Sequence, residues 1–362
     1  DGLTRLAEAA KARGLGLVVD IVPNHVGVAA PDDNPWWWDV LRHGRDSPFA
    51  TFFDIDWHAD RDGRIILPVL GSDDDVVDLT VDGDVLRLGD LAFPIAAGTG
   101  EGSGAQVHDR QHYKLIGWRN GLCGYRRFFS ITSLAGLRQE DPEVFARSHT
   151  EVARWFAEGL VDGVRIDHPD GLTDPAGYLV MLRELVGPQA WIVIEKILAV
   201  GEPLDPSLPV DGTTGYEVLR DVGGVFIDPA GAEALTALVE GAGFDYAAAP
   251  DLLRQLKIRS TTGTLASELA RVCRTIAAET GAEHPRMADA LTALLTNIGV
   301  YRCDYPALAQ VLAVAIGRTV AADPELAAPL AVVSAALARP GSEADARLQQ
   351  LCGAMTAKSV ED

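Results

Sequence analysis

The stretches Val161-Asp162-Gly163-Val164-Arg165-Ile166-Asp167-His168 and Trp191-Ile192-Val193-Ile194-Glu195 decide how this chain folds. Each holds a short run rich in Val and Ile, the pattern of a strand buried on both faces in a parallel sheet covered by helices. Each also ends in a carboxylate, at the strand end where β/α barrels carry their chemistry. A third run, Gly16-Leu17-Val18-Val19-Asp20-Ile21-Val22, leads into Pro23-Asn24-His25. Three strand ends therefore deliver Asp, Asn, His, Arg, Asp and Glu to one rim, a set suited to a carbohydrate.

Outward from these strands, residues 3–13 read as a helix, with Gly14 and Gly16 at the junction to the first strand. From residue 27 to about 128 the periodicity is lost. The region is dense in Asp, Gly, Pro and aromatics, with Trp36-Trp37-Trp38, Phe52-Phe53 and Trp57 as islands. Alternating runs at 76–79 and 84–88 predict hairpins. So long a stretch after a barrel strand is better explained as an inserted subdomain than as a bare loop. Helix–strand order resumes with a helix over 142–160, N-capped by Asp141, and another over 175–186. After residue 216 the chain is rich in Ala and Leu and mainly helical, with 223–227 and 298–303 as further strand candidates. The expected fold class is α/β, a (β/α)₈ barrel represented incompletely, since at most five strands are found of the eight in a closed barrel. The segments are 1–26 (helix plus strand), 27–130 (inserted subdomain), 131–228 (barrel segment with Asp167 and Glu195) and 229–362 (mainly helical, with a late barrel segment).

With 362 residues, 48% of them hydrophobic, the chain can bury a sizeable core and is not disordered. A net charge of −21 argues against nucleic acid or an anionic membrane as partner and leaves a neutral sugar compatible. Cys123, Cys273, Cys303 and Cys352 show no metal-ligand spacing and no disulfide framework, which suits a reducing cytoplasm and no metal. No apolar run approaches the ~20 residues of a membrane span. The chain opens at Asp1-Gly2 inside a helix, without Met, and stops at residues 357–362 with no helix stop signal, so both ends read as cut.

A glycosidase needs two carboxyl groups across the scissile bond, one ionised and one protonated. Asp167 and Glu195 are the candidates. Strand alternation puts Arg165 on the same face as Asp167, where a guanidinium would keep the carboxylate ionised. Glu195, on an apolar strand with Trp191, is the candidate for desolvation and hence for the proton. A buried structural Arg–Asp pair is the competing explanation. Asp20, Asn24 and His25 suit sugar hydroxyls, or else serve only a strand-to-loop turn. Gln111-His112-Tyr113, Trp118-Arg119 and Tyr125-Arg126-Arg127-Phe128-Phe129 combine aromatic faces with arginines. They would line a sugar site or form a packed subdomain, and at least one of the three adjacent tryptophans is expected to be buried.

Together these segments resemble the alpha-amylase family of glycoside hydrolases. Asp20-Ile21-Val22-Pro23-Asn24-His25 is similar to its first signature region, Gly163-Val164-Arg165-Ile166-Asp167 to its second, and the strand ending in Glu195 to its third. The flanks Arg165 to Leu172, Glu195-Lys196-Ile197-Leu198, Gln111-His112-Tyr113, Tyr125 to Phe129, Leu134-Ala135-Gly136-Leu137-Arg138, Thr213-Thr214-Gly215-Tyr216 and residues 357–362 narrow the resemblance to isomerases of that family. Such enzymes turn the reducing-end α-1,4 linkage of a maltooligosaccharide into an α,α-1,1 linkage instead of hydrolysing it.

The resemblance implies Asp167 as nucleophile, Glu195 as general acid/base and Arg165 as the orienter of Asp167. Asp20, Asn24, His25, His168, Tyr113 and Arg126 would bind substrate. No cofactor or metal is implied. The implied partners are a maltooligosaccharide or α-1,4-glucan and functional pairing with a trehalose-releasing hydrolase, in the cytoplasm. Gly124, Ser130 and Gln139 depart from the Asn, Asp and Val expected there. No His-Asp pair of the fourth signature follows Glu195, which places the third carboxylate beyond Asp362 and makes the sequence an internal fragment. An ordinary α-glucan hydrolase and an inactive glucan-binding fragment are the alternatives.

Overall fold

The computed structural model describes residues 2–339 and 341–361. Asp1 and Asp362, which open the first and close the last segment read above, lie outside the described residues. Four strands, Val18–Ile21, Gly163–Ile166, Trp191–Ile194 and Gly212–Thr213, form a parallel sheet in that order. Its centre is dry: Val164, Ile166, Ile192 and Ile194 are fully buried. The helix Pro175–Val186, capped by Asp174, packs Leu179 and Leu182 into the same core. Gly163 is required where two strands meet closely, because a Cβ there would stand 2.5 Å from the Trp191 carbonyl oxygen.

Val18–Ile21 lies at one edge of this sheet, with Val18 and Asp20 exposed. Several expectations need correction. The fourth strand is Gly212–Thr213, not either of the apolar candidates. Residues 223–225 belong to the helix Tyr216–Val225, and 298–303 is irregular. There the side chains of Lys257 and Gln349 satisfy the Ile298 carbonyl (2.8 Å) and the Cys303 N–H (2.9 Å), so no strand partner is needed. Short apolar runs do not distinguish helix, strand and buried loop. The helix expected over 142–160 is broken into Pro142–Ser148 and Thr150–Ala157 at His149, whose ring stacks on Phe145 at 4.3 Å.

The insertion has its own core around Trp37, Phe52, Phe53, Leu70, Phe93 and Tyr113. It holds a parallel strand pair (Ile65–Leu70 with Tyr113–Gly117) and a three-stranded meander (Thr80–Asp82, Val85–Leu88, Leu91–Pro94). The expected hairpin at 84–88 is therefore present, whereas Asp73–Asp78 is a 3₁₀ turn. A third small sheet, His25–Gly27 with Ile131–Gly136 and Arg127–Phe128, ties the insertion to the end of the first parallel strand. Helices from Ala232 to Glu361 complete the chain, and among the described residues no single helix is long and apolar enough to cross a membrane.

One buried carboxylate joins the insertion to those helices. Asp54 meets Arg126 at 3.0 Å, Arg271 at 2.6 Å and Arg347 at 3.1 Å. Burial alone would raise its pKa; the three guanidiniums, Arg271 first, overcome that and hold it well below the ordinary carboxylate range. Asp54→Ala would leave three confined cations without their shared partner, at a cost of about 3–5 kcal/mol at pH 7 by urea unfolding. Because the folded pKa is depressed, this stabilisation is present above the unfolded pKa of about 3.9 and is lost as pH falls through the folded one. The gap between parent and variant should therefore narrow in acid, and a gap below about 1 kcal/mol at pH 7 would contradict the clamp.

Candidate active site

The three acid-bearing strands run parallel and in register, so side chains two residues apart point the same way at the same level. Asp20 is paired with Arg165, and Arg165 with Val193. The ladder continues one step beyond the strands: the Asp167 N–H donates to the Ile21 carbonyl at 2.9 Å and the Glu195 N–H to Ile166 at 2.8 Å. Asp20, Asp167 and Glu195 thus converge on one guanidinium. Arg165 Nη1 donates to Asp167 Oδ1 at 2.6 Å and to Asp20 Oδ1 at 3.0 Å, and Nη2 lies 3.5 Å from Glu195 Oε1. Asp167 and Glu195 are half-buried; Asp20, on the edge strand, is exposed.

Glu195 Oε2 accepts the backbone N–H of His168 at 3.0 Å. That N–H is aimed by a left-handed backbone at His168, φ 43° and ψ 53°. The Glu195 pKa is raised, first by burial and then by the charge of Asp167 and a hydrogen bond between the two carboxyls, against the His168 N–H and Arg165. Trp191 contributes nothing to this desolvation, for it stands exposed at the opposite end of the strand.

An aromatic cluster adjoins the acids through His25 and His168. His25 opens the strand that pairs with Ile131–Gly136, and that strand turns back through Phe129 and Ser130 to Arg127–Phe128. Phe128 stacks on His25 at 4.4 Å and meets the His168 ring edge-on at 5.2 Å; Phe129 meets His168 at 5.0 Å. Among the described residues, Phe129 (φ 50°) and His168 are the two non-glycine residues with positive φ, and they touch each other. Strained backbone of this kind clusters where geometry is functional. Burial lowers the pKa of both histidines, that of His168 to about 4, although Asp170 and Asp167 oppose it. Both rings are therefore neutral at pH 7.

Of the residues singled out from sequence, Asp20, His25, Arg165, Asp167, His168 and Glu195 come together. Tyr113 does not. It is fully buried in the insertion and its hydroxyl donates to the Pro94 carbonyl at 3.0 Å. Asn24 and Arg126 lie behind the rim. Arg126 donates to the Asn24 side chain, to the Gly171 carbonyl (3.1 Å) and to Leu137, besides pairing with Asp54. Gln111 is likewise spent inside the insertion, on Ala96, Thr99 and Val107. Trp37 is buried, with Trp36 and Trp38 half-buried beside it. Phe128 and Phe129 are the site residues that sequence offers only as part of a group; no local signal marks a positive φ at a phenylalanine.

A cleft of ≈ 730 Å³ lies between the insertion and the last helices, lined by Trp57, Arg138, Asp304 and Arg347 among others. It does not reach Asp167 or Glu195, so the chemistry is assigned to the sheet rim and not to the larger space. A carboxyl whose pKa is raised, beside a carboxylate held by an arginine, is the kind of pairing that retaining glycosyl transfer uses, one group as acid and the other as nucleophile.

No protein-family model matches the chain. A Mycobacterium tuberculosis (strain CDC 1551 / Oshkosh) protein named maltooligosyl trehalose synthase is 65% identical over all 362 residues, which make up 47% of that protein. The structure of maltooligosyltrehalose synthase from Arthrobacter ramosus superposes with a TM-score of 0.93 at 47% identity, over 99% of this chain and 47% of that one. A structure described as DSM5389 glycosyltrehalose synthase gives 0.79 at 30% identity, over 98% and 46%. The chain thus spans about half the length of the relatives it matches, and it shares their mixed α/β glycosidase fold.

The left-handed His168 also allows a direct test. Its imidazole should remain neutral down to about pH 4 in a ¹⁵N NMR titration. Its folded pKa is depressed, so its contribution to stability is complete above the unfolded value of about 6.5 and is lost as pH falls through the folded value. Protonation near pH 6.5 would mean that the ring is not packed against Phe128 and Phe129.

Proposed function

We propose that this chain is the part of a maltooligosyltrehalose synthase that carries its nucleophile and its acid/base, on an incomplete (β/α)₈ barrel interrupted by the insertion at 27–130. The observation that carries the proposal is the single guanidinium of Arg165 shared by Asp20, Asp167 and Glu195. The full-chain likeness to enzymes of that name supports it.

The substrate is a maltooligosaccharide and the reaction is retaining. Glu195 gives its proton to the glycosidic oxygen of the reducing-end glucose as the Asp167 carboxylate attacks the anomeric carbon on the other side of that bond. The C–O bond to the leaving glucose breaks and a covalent glycosyl ester on Asp167 forms. Glu195, now ionised, takes the proton from the anomeric hydroxyl of the released glucose. That oxygen displaces Asp167 and closes an α,α-1,1 linkage. No atom is gained or lost, so the product is an isomer of the substrate. Arg165 orients Asp167, while His25, His168, Phe128 and Phe129 offer neutral polar edges and ring faces to the sugar. Asp20 is exposed enough to accept a hydroxyl. A cytoplasmic site of action and a partner hydrolase that releases trehalose complete the proposal.

In the full-length protein, Asp167→Asn and Glu195→Gln should each lower kcat by about 10³-fold or more while maltooligosaccharide binding persists. The parent should convert maltopentaose to a product of unchanged mass that has lost its reducing end. Mass spectrometry with a reducing-sugar assay decides the matter, since a hydrolase would increase reducing ends and accumulate maltose and maltotriose.

A further inference from the structure

We infer that Lys196 is a positioning residue: buried against Asp170, it ties the loop after one acid-bearing strand to the loop after the next and so keeps the His168 N–H on Glu195. The inference rests on the proposed role of Glu195. Lys196 follows Glu195 directly, and its side chain runs into the interior, where it is 2% exposed. Its Nζ lies 3.1 and 3.3 Å from the two oxygens of Asp170, 3.5 Å from Glu202 Oε1, and 4.9 Å from the centre of the Tyr305 ring. Asp170 and Glu202 are as deeply buried as the lysine. Among the described residues Glu202 Oε1 has no hydrogen-bond donor, so its contact with Lys196 is ionic.

An ion pair at this depth is poor value as stability alone, because desolvation of both partners offsets most of the attraction. Its place explains it better. Asp170 lies two residues after His168, whose left-handed backbone is an unfavourable conformation that neighbouring contacts must enforce. Those contacts are present on every side of the loop. Arg302 donates to the carbonyls of Asp170 (2.9 Å) and Leu172 (2.6 Å), and the Tyr305 hydroxyl donates to Asp170 Oδ1 at 3.3 Å. Arg126 and Gln350 each reach the Gly171 carbonyl at 3.1 Å. A Cβ on Gly171 would stand 2.5 Å from the His168 ring. These contacts seat the 168–172 loop on the scaffold. Among these loop contacts Lys196 is the one that comes from the segment carrying Glu195, so beyond the strand ladder and Arg165 it ties the N–H and its acceptor to each other from the inner side.

The charged groups facing Glu195 are Asp167 and Arg165, with Asp20 on the other side of Arg165; the titratable rings nearby are the neutral His168 and His25, and Lys196 is turned to Asp170 and Glu202. Releasing the lock removes a donor from the ionised form of Glu195 and raises its pKa. The test uses the full-length protein with maltopentaose and compares the parent with the charge-neutral double variant Lys196→Met, Asp170→Asn. The double variant should fold, keep KM within about twofold and lose kcat by about 10–10²-fold, as a misplacement of roughly 1 Å costs. The alkaline limb of its kcat–pH profile should move upward, which a merely structural defect would not do. A folded double variant with parental kcat and an unmoved limb overturns the inference. Should it not fold, Tyr305→Phe decides: removing the hydroxyl that steadies Asp170 should shift the limb upward by a smaller amount, and a parental profile overturns the lock. An active Glu195→Gln variant would instead sink the role of Glu195, so the two failures can be told apart.

Discussion

Three carboxylates on adjacent strand ends can share one rim because a single guanidinium stands among them. Two like charges about 4 Å apart repel by roughly 4 kcal/mol at an effective dielectric of 20, more than a loop end would withstand without rearranging. Arg165 meets that repulsion by facing Asp20, Asp167 and Glu195 at once. One cation among three acids still leaves an excess of negative charge, and the site resolves it unequally. Asp20 lies 3.0 Å from Arg165. Asp167 has the short contact to Arg165. Glu195, with the longest contact and a buried face, is the group whose pKa rises. The proposed division into nucleophile and acid therefore follows from where each strand ends relative to one arginine.

The second constraint is conformational. His168 and Phe129 hold backbones that L-residues avoid, and each ring packs against the other. The strain at His168 turns its N–H toward Glu195; the strain at Phe129 returns the hairpin so that Phe128 covers His25. Neither geometry is self-sustaining. Both depend on the surrounding arginines and on glycines such as Gly171, where no side chain would fit.

The strands with their acids were legible in the sequence because a buried parallel strand writes itself as an apolar run, and the candidate site residue as the carboxylate that ends it. The fourth strand, Gly212–Thr213, was not: two residues without an apolar side chain carry no periodicity. The same limit explains Tyr113, Asn24 and Arg126. An aromatic or polar residue in a loop-rich segment looks the same whether it faces a sugar or a buried partner. What separates the two is a contact more than a hundred residues away, as between Arg126 and Asn24. Lys196 was visible as part of a motif, yet its burial depends on Tyr305 and Glu202, elements whose proximity no local pattern encodes.

The site is not a module resting on a scaffold. From Asp54 the charge network runs to Arg126, from Arg126 to Asn24 and the Gly171 carbonyl, and the Gly171 backbone lies against the ring of His168, whose N–H holds Glu195. Arg271 and Arg347, from helices near the end of the chain, close the same network on Asp54. The insertion and the late helices are thus wired to Glu195 through buried, satisfied polar groups, where removing one partner is felt by all of them. A likeness that covers 99% of the chain at a TM-score of 0.93, insertion and helices included, is what such wiring demands. The parallel sheet supplies the direction of the acids, and segments far from it in sequence supply their precise setting.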